Sequence, residues 1–156
     1  MPKNDRADLD KEIKRHATIV CVTDQYSCDT HIHAGRALAD LTDTDLIVVH
    51  VASPADVGDA ATIEYLYGVA RQNGALMQML YDDNPGKTLI KYVKRSKVRS
   101  IVTGQPEGSD AVPMQLWNKF THIAFFVADG TGNLSAVRAP RLRAQALAGG
   151  PKPAYT

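Results

Sequence analysis

Three side chains near the start of the chain have the chemistry of metal ligands: Cys28, His31 and His33, with His50 further along. Zinc takes thiolate and imidazole ligands of this kind. His31 and His33 are two residues apart, however, and on a helix that spacing turns them about 200° from one another. They cannot share an ion there, so no metal is expected. Gly86-Lys87-Thr88 lacks the upstream glycine that would let a backbone cradle phosphate as a P-loop does. No nucleophile elbow occurs, and spacing alone places no pair of carboxylates. Catalysis therefore has no anchored residue, and the expectation is a chain that binds rather than reacts. What remains are residues suited to holding a small polar ligand. Gly108-Ser109-Asp110 could offer amides to an anion at the start of a short helix, an end that Asp110 could equally cap for itself.

Such residues need elements to hold them. Thr18 to Thr23 is a near-continuous apolar, β-branched run, as expected of a strand covered on both faces. Leu46 to Val51, Ala75 to Tyr81, Val98 to Thr103 and Ile123 to Ala128 read in the same way. Between them lie helical patterns. Thr30 to Leu41 carries Ile32, Leu38 and Leu41, with Asp29 or Thr30 as the cap. Ala60 to Asn73 stops at Gly74. Pro85 to Ser96 is opened by Asn84-Pro85, and Met114 to Asn118 is short. Strands alternating with helices imply a parallel sheet. Met77 and Met79, two apart on a strand, share a face and suit core packing. Trp117 and Phe120 suit packing or an interface.

At 156 residues with 44% hydrophobic content, the chain suits one domain with a real core. The formal net charge is +1, which argues against a dedicated nucleic-acid binder, since phosphate neutralisation needs clustered cations. Six basic residues (Lys87, Lys91, Lys94, Arg95, Lys97, Arg99) and no acid do fall between Pro85 and Pro106. On a helix these read as a solvated face opposite Leu89, Ile90 and Val93. Two cysteines, Cys21 and Cys28, make no secreted disulfide framework. No apolar run reaches the roughly 18 residues needed to span a bilayer, and Lys3 to Arg15 lacks the apolar core of a signal sequence. A cytoplasmic protein is expected. Residues 1–16 read as a polar lead, 17–130 as the domain, and 131–156, with three prolines and a Gly-Gly pair, as a mobile or partner-docked extension.

In that order the residues resemble a known family. Ile19-Val20-Cys21-Val22-Thr23-Asp24, a polar loop, and Ala34-Gly35-Arg36-Ala37-Leu38-Ala39 are similar to the start of universal stress proteins. The nearest likeness is to the universal-stress-like domain of the potassium sensor kinase KdpD. Leu46 to Val51, Ile101-Val102-Thr103-Gly104 and Trp117-Asn118-Lys119-Phe120 extend the resemblance over residues 17 to 130. It implies an α/β fold: an open five-stranded parallel sheet in the order 3-2-1-4-5 with helices on both faces. The order reverses between strands 1 and 4, and open α/β sheets bind ligands outside the carboxyl ends of strands at such a point.

The resemblance also implies a ligand, ATP or another adenine nucleotide. ATP-binding members carry an acidic residue after strand 1, and Asp24 matches it as an acceptor for ribose. After strand 4 they carry glycines spaced G-x-x-G, followed by Gly-Ser or Gly-Thr. Here Gly104 is in place, Gly108 comes one residue late, and Asn118-Lys119 stands where the last pair belongs. The expected site is Thr23, Asp24 and Gln25 on the sugar and base side, with Gly104, Gln105, Gly108 and Ser109 facing phosphate. The cyclic di-AMP motifs of some KdpD-type domains do not match Gln25-Tyr26-Ser27 or Leu46 to His50. Universal stress proteins commonly pair through the fifth strand, which implies a homodimer through Ile123 to Val127 and a role in presenting a surface to protein partners. A ligand-free dimeric interaction protein is the alternative, and a slow nucleotide hydrolase has the least support.

Overall fold

The computed structural model describes residues 16–54, 58–105 and 112–138 of the chain. In chain order the elements are β1 (Ala17–Cys21), α1 (Cys28–Thr42), β2 (Asp45–Ala52), α2 (Ala60–Gln72), β3 (Leu76–Tyr81), α3 (Pro85–Arg95), β4 (Val98–Thr103), α4 (Val112–Lys119), β5 (Ala124–Ala128) and β6 (Leu134–Arg138). They build an α/β fold around one sheet in the order β3-β2-β1-β4-β5-β6. The first five strands pair in parallel, as their apolar runs imply.

The strands are apolar throughout because both faces are covered, and successive residues go to opposite cores. Val20, Val48 and Val102 join Ile32, Leu38, Leu66 and Val69 on the side of α1 and α2. Ile19, Ile47 and Ile101 join Leu89, Val93, Leu116 and Phe125 on the side of α3 and α4. Gly35 lets α1 lie close on this sheet. A Cβ there would come within 2.3 Å of Val20 Cγ2 and 3.1 Å of Leu46 Cδ1. Helix α3 starts where Asn84-Pro85 signals, with Asn84 Oδ1 accepting from the Lys87 N–H at 3.1 Å.

The sheet has six strands rather than the expected five. Leu134–Arg138, expected in the C-terminal extension, runs antiparallel to β5. It forms because residues 129–133 make a tight, self-bonded turn. Asp129 Oδ1 accepts from Thr131 N–H at 2.8 Å, Thr131 Oγ1–H at 2.8 Å and Asn133 N–H at 3.0 Å. Gly132 sits at φ 90° against the Thr30 carbonyl. Strand β5 is thus paired by β4 on one side and, from Phe125 to Ala128, by β6 on the other.

The bonds from Thr131 and then Asn133 hold the Asp129 carboxyl below its ordinary value of 3.8. A depressed folded pKa means that this turn's contribution is complete above the unfolded value and is lost as pH falls through the folded one. A carboxyl NMR titration should place the Asp129 midpoint below 3.8, and Thr131→Ala should move it back up. A midpoint at or above 3.8 in the unaltered protein would contradict this turn geometry.

Candidate functional site

The sheet order reverses at β1. Its sequence successor β2 lies on one side and β4 on the other. Beyond the carboxyl end of β1, residues 23–27 form an exposed loop that winds directly into α1. The N–H groups of Cys28, Asp29 and Thr30 donate in succession to the carbonyls of Gln25, Tyr26 and Ser27 at 3.0–3.1 Å. These turns start the helix at Cys28, ahead of the expected caps. Its N-cap, Ser27, makes no side-chain capping bond.

Asp24 stands in this loop with its carboxylate exposed. Oδ2 accepts from the Asp59 N–H at 3.1 Å. Gly58 precedes that amide at φ 88°, and a Cβ on it would lie 2.8 Å from Asp24 Oδ2. Glycine is therefore required both for the conformation and for the approach to the carboxylate. Asp59 in turn caps α2, accepting from Ala61 N–H at 3.2 Å and Thr62 Oγ1–H at 2.7 Å. One carboxylate oxygen thus fastens the start of α2 to the end of β1, while Oδ1 carries no partner among the described residues. A rim of aromatics lies beside it: Tyr26 and Tyr65 are 5.2 Å apart between ring centroids, and Tyr65 donates to Asp29 Oδ2 at 2.7 Å. That bond raises the Tyr65 phenol above its usual pKa.

Below the loop is Cys28. The Thr23 N–H donates to its Sγ at 3.4 Å, and Thr23 Oγ1 lies 3.5 Å from the same sulfur. Burial pushes this thiol up, but the His31 imidazole and the Thr23 hydroxyl and amide outweigh it, and the net direction is down from 9.0. The other thiol behaves oppositely: burial alone raises Cys21 to about 12. His31 also closes the β4 side. Its Cε1 is 3.1 Å from where a Cβ on Gly104 would stand. Its Nδ1 is buried without a hydrogen-bond partner.

The expected residues divide accordingly. Thr23, Asp24 and Gln25 share the loop after β1, and Gly104 and Gln105 follow β4 across the reversal. Gly108 and Ser109 lie outside the described residues. Gly104 is needed at least partly for contact with His31. In the sequence His31 reads only as a metal ligand; its i, i+3 spacing from Cys28 is the signal that the two share a helix face. Asp59, Gly58 and Tyr65 carry no local signal, because they reach the site from the far side of β2. Among the described residues no group of three or more potential ligands could hold a metal ion.

No protein-family model matches the sequence, and no curated protein matches it. Solved structures do. A universal stress protein in complex with cAMP superposes with a TM-score of 0.57 at 14% identity, covering 74% of this chain and 98% of the other. The universal stress protein from Archaeoglobus fulgidus in complex with dAMP gives 0.50 at 17% identity, covering 67% and 90%. The fold is that of the universal stress proteins. Within that fold the β1/β4 reversal holds Asp24 on one side and Gly104 on the other. Among the described residues no helix is long and apolar enough to cross a membrane.

Proposed function

We propose that this universal-stress-type domain binds an adenine nucleotide in the crevice between the loops after β1 and β4 and acts as a regulatory module. The observation that carries the reading is the exposed Asp24 carboxylate at the end of β1, beside the strand-order reversal. A carboxylate oxygen there can accept from ribose hydroxyls, with Thr23 and Gln25 alongside. Gly104 and Gln105, together with Gly108 and Ser109, would serve the phosphate side. The two structural neighbours were solved with adenine nucleotides, which supports the same ligand class here. The nearer likeness to KdpD, and a cytoplasmic place of action, rest on the sequence alone.

A thermal-shift series with AMP, cAMP, ATP and cyclic di-AMP tests the proposal. At 100 times Kd a ligand of the native state adds about 2.7 kcal/mol, a rise of roughly 5–10 °C for a domain of this size. An adenine mononucleotide should give such a rise. Asp24→Ala should weaken binding about tenfold or more, as expected for hydrogen bonds to a charged group. No shift with any nucleotide at millimolar concentration would end the proposal. The second reading, an interaction protein without a nucleotide, would then stand. It draws on the packing of His31 against Gly104, where the glycine admits an imidazole.

A further inference from the structure

Strand β3 is an outer strand of the sheet. β2 pairs with it in parallel from Leu76 to Tyr81, and among the described residues no strand lies on its other side. Backbone N–H and C=O groups along that side have no described strand to meet them. Edges of this kind are normally blunted by a charge, a proline or a bulge. Leu76 to Tyr81 holds no charged residue, no proline and no glycine, and its register with β2 is unbroken. All six residues are half-buried or exposed, with Tyr81 58% exposed.

The order of these residues indicates what fits the edge. Leu76-Met77-Gln78-Met79-Leu80 reads the same in both directions. An antiparallel copy centred on Gln78 sets Met77 opposite Met79 of the second copy, Leu76 opposite Leu80, and Gln78 opposite itself. Successive side chains alternate between faces. The methionines therefore meet on one face, and the leucines flank the glutamine pair on the other. Met77 already packs against the core on the side of α1 and α2, and Leu80 against the core on the side of α3 and α4. Both apolar layers would run on across the twofold axis. The Gln78 amide is half-buried and makes no hydrogen bond to a described residue. Opposite its own copy it can both donate and accept, as cross-strand pairs do.

The ends of the strand match in charge. Just before β3, Arg71 is exposed, and Arg36 Nη1 donates to the Asn73 carbonyl at 2.7 Å. Just after it stand Asp82 and Asp83, both exposed. Antiparallel pairing brings the acids of each copy to the arginines of the other, whereas parallel pairing would set acid beside acid. We propose that β3 is a pairing edge for a second copy of this chain, joined antiparallel about Gln78 into one continuous sheet. Such a contact uses the same patch on both copies and closes at two. It puts the homodimer at the far edge of the sheet from the expected Ile123 to Val127, and it does not depend on nucleotide binding.

Sedimentation equilibrium of the full chain at tens of micromolar should give twice the mass of one chain. Gln78→Lys, checked for a cooperative melt, should raise the dimer dissociation constant at least tenfold, because it sets two ammonium groups face to face. Gln78→Cys should link into a covalent dimer under mild oxidation, with peptide mapping placing the disulfide at residue 78. Tyr81→Cys is the comparison: it is exposed on the same strand but lies opposite Ala75 of the second copy, so it should link far more slowly. A monomer at that concentration would overturn the proposal. So would a dimer that Gln78→Lys leaves unweakened, or one that Gln78→Cys links no faster than Tyr81→Cys; the contact would then lie elsewhere, β5 included.

Discussion

Phe125→Ala should cost the fold about 3–5 kcal/mol, the usual penalty for deleting a buried aromatic. The side chain is fully buried, heads the largest such residues, and meets Trp117 edge-on at 6.4 Å between ring centroids. It stands on β5, an inner strand because β6 lies outside it. Its removal would leave a void among Leu116, Phe120, Ile123 and Ile101, none of which lies at a surface that could collapse inward. Phe126 points to the opposite face and is only half-buried, so Phe126→Ala should cost clearly less. Urea denaturation should show the Phe125→Ala midpoint falling with an unchanged slope, and the melting temperature should drop by roughly 6–20 °C. Equal losses for the two variants would mean that β5 is not seated between two strands.

Those two neighbouring phenylalanines also show what a sequence of this kind discloses. The five parallel strands were legible because strands covered on both faces read as unbroken apolar runs, and nothing in the intervening segments imitates them. Asn84-Pro85 marked α3 because capping is a local event. Strand β6 was not legible: Leu134 to Arg138 has no apolar run, its Leu134 and Val137 being only half-buried against opposite cores, and what makes it a strand is the turn that Asp129 organises. A turn at residues 129–133 does not by itself say whether the chain beyond it pairs with the strand before it. The site divides in the same way. Asp24 could be placed because it closely succeeds a strand whose position in the sheet sets its surroundings. That its carboxylate holds the Asp59 amide could not, since this bond depends on β2 bringing a distant loop back across β1. Gly104 was legible as a glycine but not for its contact with His31, which only the packing of α1 on the sheet creates.

Gly35→Ala should destabilise the protein by about 2 kcal/mol, and Gly86→Ala by less than about 1 kcal/mol, although the added methyl at Gly86 meets the nearer atom. Both glycines are buried in helices, so each substitution gains up to about 1 kcal/mol of helix propensity. The costs differ in what must move. At Gly86 the first atom met is the far end of Gln115, a flexible side chain that can swing aside. At Gly35 it is Val20 Cγ2, on a β-branched side chain with no exposure at all, on the central strand. A branched side chain has few rotamers to offer. The helix itself must lift, and overpacking of that kind costs about 1–3 kcal/mol, with a tight contact at the upper end. Melts of the two variants should differ by several degrees, and a larger loss for Gly86→Ala would refute the argument. The effect should also reach the crevice. Gly35 sets how closely α1 lies on β1, and the segment between those two elements carries Asp24, so lifting α1 displaces that carboxylate.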